Sequence, residues 1–132
     1  MFFDSYSYDE NFSSFLGKSI YLNSDGFIYG NIFKDEYIPY KNYDVYNLKS
    51  NSPEGSLKLK IMEETFIIND LNLYLDLHKD DTDMYNIFKE HKSKLDQLIN
   101  EYETKYSSIC LNANKNNYDW TNSPWPWEDK NV

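Results

Sequence analysis

Apolar positions recur with helical spacing in one part of this chain, residues 53 to 106, and they fall there into two runs. In the second run Met84, Phe88, His91, Leu95, Leu98 and Tyr102 step by four, three, four, three and four, a seam of heptad type. The far side of that run carries Lys89, Glu90, Lys92, Lys94, Asp96 and Glu101. Glu90 with Lys94, and Glu101 with Lys105, have the favourable order for pairs one turn apart. In the first run Leu57, Ile61, Ile68, Leu71 and Leu75 share one stripe, with Met62, Phe66, Leu73 and Leu77 on an adjacent one. Together the stripes make an apolar face wider than a two-helix seam covers. Another part of the chain, or another chain, must cover the remainder.

The ends of both runs carry stop and start signals. Ser52 is placed to cap the first helix and Pro53 to occupy its first position, where a missing N–H costs nothing. Gly55 is a weak spot that can move the start to about Ser56. Lys79-Asp80-Asp81-Thr82 makes the turn. Asp81 or Thr82 caps the second helix, whose positive N-terminus suits acidic residues. A turn this short sets the helices side by side and antiparallel, as an αα-hairpin.

The flanks have no helical period. Residues 1–52 mix Gly17, Gly26, Gly30 and Pro39 with turn-forming Ser, Asn and Asp. Aromatics are interleaved throughout, most densely from Gly30 to Tyr43, where Phe33, Tyr37 and Tyr40 are candidate contact residues. Aromatic content this high is atypical of disorder, and the stretch reads as an arm ordered on its own hairpin or on a partner. Residues 107–132 form a tail in which all three Trp of the protein lie together: Trp120, Trp125 and Trp127. Pro124-Trp125-Pro126-Trp127 disfavours helix, because Pro removes donors and biases the preceding residue towards extended backbone. Such a segment is rigid and adhesive, and it can dock on its own hairpin or on a partner. The expected fold is all-α: a two-helix hairpin over 53–106, an irregular aromatic arm over 1–52, and an extended Trp/Pro-rich tail over 107–132.

Composition narrows the classes. The chain has 132 residues, room for one small core. Aromatics reach 18%, with 13 Tyr; Tyr and Trp suit partner surfaces better than dry cores. A genome favouring Tyr, Asn, Lys and Ile codons accounts for part of that excess, in line with Lys as the sole strong base. A net charge of −9 argues against nucleic acid or anionic lipid as partner. No apolar run approaches the roughly 20 residues of a membrane span. The first residues lack the features of a signal peptide, which points to synthesis and retention in a cytosol. Cys110 is the single cysteine, so no internal disulfide forms, and a plain thiol is favoured over an interchain bridge.

Candidate chemistry is sparse. Asp70 lies among Ile67, Leu71 and Tyr74, an expensive place for a carboxylate without a partner. A turn centred near Lys79-Asp80 brings His91 opposite Ile68, within reach of Asp70. An Asp70–His91 pair, or an Asp70–Tyr contact, is therefore expected, as a structural tie rather than a catalytic one. No nucleophile, Gly-rich loop or oxyanion donor accompanies it. His78 with Asp76, Asp80, Asp81 and Asp83 offers metal-ligand types without a fixed geometry, and a solvated capping turn is favoured. A carboxylate-bridged metalloprotein needs Glu-x-x-His pairs on facing helices. Leu75 and Phe88 stand where those Glu would be. No cofactor and no catalytic residue is expected.

Two motifs carry a resemblance. Asp70-Leu71-Asn72-Leu73-Tyr74-Leu75-Asp76, then His78 and Asp80-Asp81, is followed by Tyr102 to Tyr106. The chain then closes on Pro124-Trp125-Pro126-Trp127-Glu128. In order and spacing, over about residues 57 to 128, this resembles the spore coat protein CotJB family, the JB member of the cotJ operon. Leu77, Lys79 and Ser107-Ser108-Ile109 depart from the family pattern, at the turn and where the tail leaves. The arm is similar to N-terminal extensions of clostridial members. The resemblance implies a structural, non-enzymatic component of the endospore coat of a Gram-positive spore former, made in the mother-cell cytoplasm. It implies other coat proteins as partners, the manganese-catalase-like CotJC-type protein among them. The rival readings are an accessory subunit of that metalloenzyme and a binding adaptor unrelated to spores; self-association is open. Trp120, Trp125, Trp127, Tyr74, Leu73, Phe33, Tyr37 and Tyr40 are the candidate partner-binding residues.

Overall fold

The structure is a computed structural model, and it describes residues 13–15, 18–22, 24–39, 41–110, 118 and 121–128. The chain divides into two compact units, Met1–Val45 and Tyr46–Val132.

The second unit is built on two long helices, α2 (Pro53–Leu77) and α3 (Thr82–Lys105), packed as an antiparallel hairpin. Both starts follow from local chemistry. Ser52 is extended, and its hydroxyl accepts from the Gly55 N–H at 3.0 Å, with Pro53 at the first helical position. The start therefore does not slip past Gly55, which is buried. Asp81, not Thr82, caps α3, its Oδ1 accepting from the Met84 N–H at 3.1 Å. Between the helices, the His78 N–H closes α2 on the Tyr74 and Leu75 carbonyls, and the Asp81 N–H bonds the His78 carbonyl at 3.0 Å.

Leu57, Ile67 and Leu71 on α2 and Met84 and Tyr102 on α3 are buried. Burying an Ile or Leu of this kind contributes about 1.5–3 kcal/mol. Phe88, His91, Leu95 and Leu98, the rest of the α3 seam, are all at least partly covered. On α2 the two apolar stripes differ in fate. Leu57 and Leu71 are buried, whereas Met62, Leu73 and Leu77 are exposed. At 3.6 residues per turn, Leu73 points about 200° away from Leu71. The expected single wide face is thus two faces on opposite sides of α2.

The first unit has more structure than the irregular arm expected from its lack of period. Strands β1 (Ser13–Phe15) and β2 (Lys18–Ile20) pair antiparallel, Ser14 against Ser19. A short helix α1 (Ser24–Tyr29) and a 3-10 turn (Lys34–Glu36) follow. Ile20 bridges to Phe33, and the Tyr21 N–H bonds the Ile32 carbonyl at 2.8 Å, with Ile20 and Ile32 fully buried between these pieces. Gly26 is required by close approach: a Cβ there would stand 2.8 Å from the Tyr21 carbonyl oxygen. Gly30, at φ 72°, ends α1 in the left-handed region.

The tail also departs from a fully extended course. Pro126–Glu128 forms one 3-10 turn, in which the Glu128 N–H bonds the Trp125 carbonyl and the Glu128 side chain accepts from the Trp125 N–H at 2.9 Å. Pro126 opens the turn, where its missing N–H is not needed.

Candidate functional site

Polar ties join α2 to α3 near each end and in the middle. At the turn, the Tyr74 hydroxyl donates to Asp81 Oδ2 at 2.9 Å, and the Tyr74 ring stacks on His78 at 4.2 Å. At the far end, the Tyr102 hydroxyl donates to Glu54 Oε1 at 2.7 Å, with Lys58 Nζ 3.4 Å from the same oxygen and 5.6 Å from the Tyr102 ring centre. Midway, His91 Nδ1 donates to Glu64 Oε2 at 2.6 Å, and Lys94 pairs with the other Glu64 oxygen. Glu64 is only 4% exposed. A carboxylate so enclosed is tolerable because both of its oxygens are engaged.

The expected Asp70–His91 pair is corrected at His91, which meets Glu64, one turn further from the loop than Ile68, the residue expected opposite it. The cause lies at the turn. Asp81, the first residue of the α3 cap, is held back alongside Tyr74 instead of level with the end of α2, which shifts the register by about one turn. A charged residue does not read as core in the sequence, so Glu64 is not among the expected ties. Its signal was heptad spacing: Leu57, Glu64 and Leu71 are seven apart and all three are buried.

Protonation follows these contacts. The Met84 N–H, then the Tyr74 hydroxyl, hold the Asp81 carboxyl below its ordinary 3.8. Burial and then Asp81 push Tyr74 up, and burial and then Glu54 push Tyr102 up. Burial, reinforced by the adjacent Glu64, raises Glu63. All of these shifts are accounted for by helix capping, burial and the inter-helix ties. His78 Nδ1 lies 3.0 Å from the Tyr74 carbonyl, and Asp81 has both oxygens occupied. Among the described residues no group of three or more His, Cys, Asp and Glu can hold a metal ion. The turn is a capped, solvated acidic loop.

The surfaces are more informative than the interior. Trp125 and Trp127 stack with ring centres 5.3 Å apart and planes 10° from parallel, and Trp127 is 77% exposed. The Glu128 turn holds the backbone of the pair, and Trp125 is 39% exposed. Leu73 is 57% and Leu77 84% exposed on the outer side of α2. Tyr74 is half-buried in its tie to Asp81. Phe33 and Tyr37 belong to the first unit, Phe33 at the bridge to Ile20 and Tyr37 5.3 Å from the Tyr29 ring. Tyr40 and Trp120 lie outside the described residues. Cys110 is exposed, its Sγ 3.8 Å from Glu103.

The family model described as CotJB protein matches residues 56–128. The chain belongs to the CotJB family. The matched span runs from the first turns of α2 to Glu128, so the CotJB region takes in both helices, the acidic turn and the Trp pair. CotJB membership makes this a spore coat-related protein, of a family that is a coat component and not a known enzyme family. Neither a curated protein nor a solved structure matches the chain. Among the described residues, no helix is long and apolar enough to cross a membrane.

Proposed function

We propose that the chain is a structural component of the bacterial endospore coat, made in the mother-cell cytoplasm and built into the coat through protein–protein contacts. The hairpin is the scaffold and the Trp tail is its main adhesive element. The observation that carries this reading is the stacked Trp125–Trp127 pair, fixed by one 3-10 turn yet with Trp127 largely in solvent. Large aromatic surface held rigid before docking loses little entropy on association, and Trp is enriched among residues that dominate interfaces. The partner proposed is the manganese-catalase-like coat protein of the same operon.

The test is co-expression of the two proteins, followed by size-exclusion chromatography with light scattering. The wild-type chain is expected to elute with the partner and the Trp125→Ala/Trp127→Ala variant to elute alone. Co-elution of the double variant at wild-type yield would overturn the role of the tail.

A further inference from the structure

The outer face of α2 has an organisation that the hairpin does not use. Leu59, Met62, Phe66, Asn69, Leu73 and Leu77 follow one another at steps of three, four, three, four and four. This is a second heptad-type seam, on the opposite side of α2 from the one against α3. Met62, Asn69, Leu73 and Leu77 are exposed. A seam of this period matches a helix better than a flat surface or an extended strand, because knobs spaced three and four apart fit the holes of a facing helix.

Charge decides which helix. From Ile61 to His78 the sequence contains no Lys, and the acidic residues beside the seam are Glu63 and Asp70 on one side and Asp76 on the other. The next cations along the chain, Lys60 and Lys79, bracket the stretch. A second copy packed antiparallel on this seam and centred near Asn69 would set Asp70 beside the other copy's Asp70 and bring Glu63 level with the other copy's Asp76, in a molecule already carrying −9. Like charges so placed oppose pairing. An anionic membrane is disfavoured for the same reason.

We infer that the outer face of α2, from Met62 to Leu77, docks an amphipathic helix of another protein whose apolar seam is flanked by Lys or Arg. The complementary length is about four turns, or roughly 22 Å. This rests on the assembly reading above and adds to it a second surface, independent of the Trp tail.

The probes are two synthetic helical peptides of about three heptads with the same Leu/Ile seam, one flanked by Lys and one by Glu. Binding to the full chain is read by fluorescence anisotropy, with circular dichroism confirming that each variant keeps its helix content. The Lys-flanked peptide is expected to bind at least about tenfold more tightly than the Glu-flanked one. Leu73→Asp and Leu77→Asp should each weaken it by about tenfold, although both add negative charge. Asp76→Lys should weaken the Lys-flanked peptide and strengthen the other. The Trp125→Ala/Trp127→Ala variant should bind the peptide like wild type, which separates this face from the tail. No binding, equal affinity for both peptides, or undiminished binding to the Leu→Asp variants would overturn the inference. Loss of binding in the Trp variant would overturn it in favour of the tail.

Discussion

Glu64 occupies a position between Leu57 and Leu71 where a hydrocarbon side chain would pack, and it is held there by His91 and Lys94. Removing one member of such a group leaves the other enclosed without its partner. Glu64→Ala is therefore expected to lower stability by about 1–3 kcal/mol. The double change Glu64→Leu/His91→Leu should restore much of that loss, since replacing a buried polar pair by hydrocarbon is often neutral or stabilising. Urea unfolding of wild type, Glu64→Leu, His91→Leu and the double gives the coupling directly. A Glu64→Ala variant as stable as wild type would contradict the role assigned to this contact. The role proposed for the group is register: with a carboxylate at that level of α2, only the alignment that brings His91 and Lys94 opposite it avoids a costly orphan. The sequence left this position illegible because a charged residue in a heptad counts as core only once its partner is known.

At the scale of elements, the turn ties the two helices through Asp81, which caps α3 and accepts from Tyr74. Its folded-state carboxyl lies below the ordinary 3.8, so the contribution is present above that range and is lost as pH falls through the lowered value. Glu63 acts in the other direction. Burial and Glu64 raise it above 4.5, so stability declines as pH rises from that ordinary value through the raised one. Asp81→Ala is expected to cost about 1 kcal/mol at neutral pH and to flatten the loss of stability below about pH 4. Glu63→Gln should remove the decline on the higher side. Denaturant titrations between about pH 3 and 7 check both. An Asp81→Ala profile parallel to wild type at every pH would contradict the assignment.

Capping and the α3 seam were legible because Ser52, Pro53 and Asp81 act on backbone only a few residues away. The alignment of the helices was not, because it depends on Tyr74 reaching across the turn. Strands of three residues have no period to read. In the first unit, Ile20, Ile32 and the close approach at Gly26 hold the pieces together, and none of these announces itself in a run of aromatics.

The whole molecule combines a small hairpin interior with large side chains left exposed, Leu73, Leu77 and Trp127 among them. Among the described residues, Glu64 and Asp81 are engaged by inter-helix ties and capping, and the Trp pair and the outer α2 face are the surfaces proposed to meet another protein. CotJB membership supplies the setting, the spore coat. The most direct measurement is made in sporulating cells, by quantifying wild-type and Trp125→Ala/Trp127→Ala chains in purified spore coats and in the soluble mother-cell fraction. The account predicts wild-type protein in the coat, and double-variant protein that is folded but shifted to the soluble fraction. Double-variant protein in the coat at the wild-type level would contradict assembly through the tail.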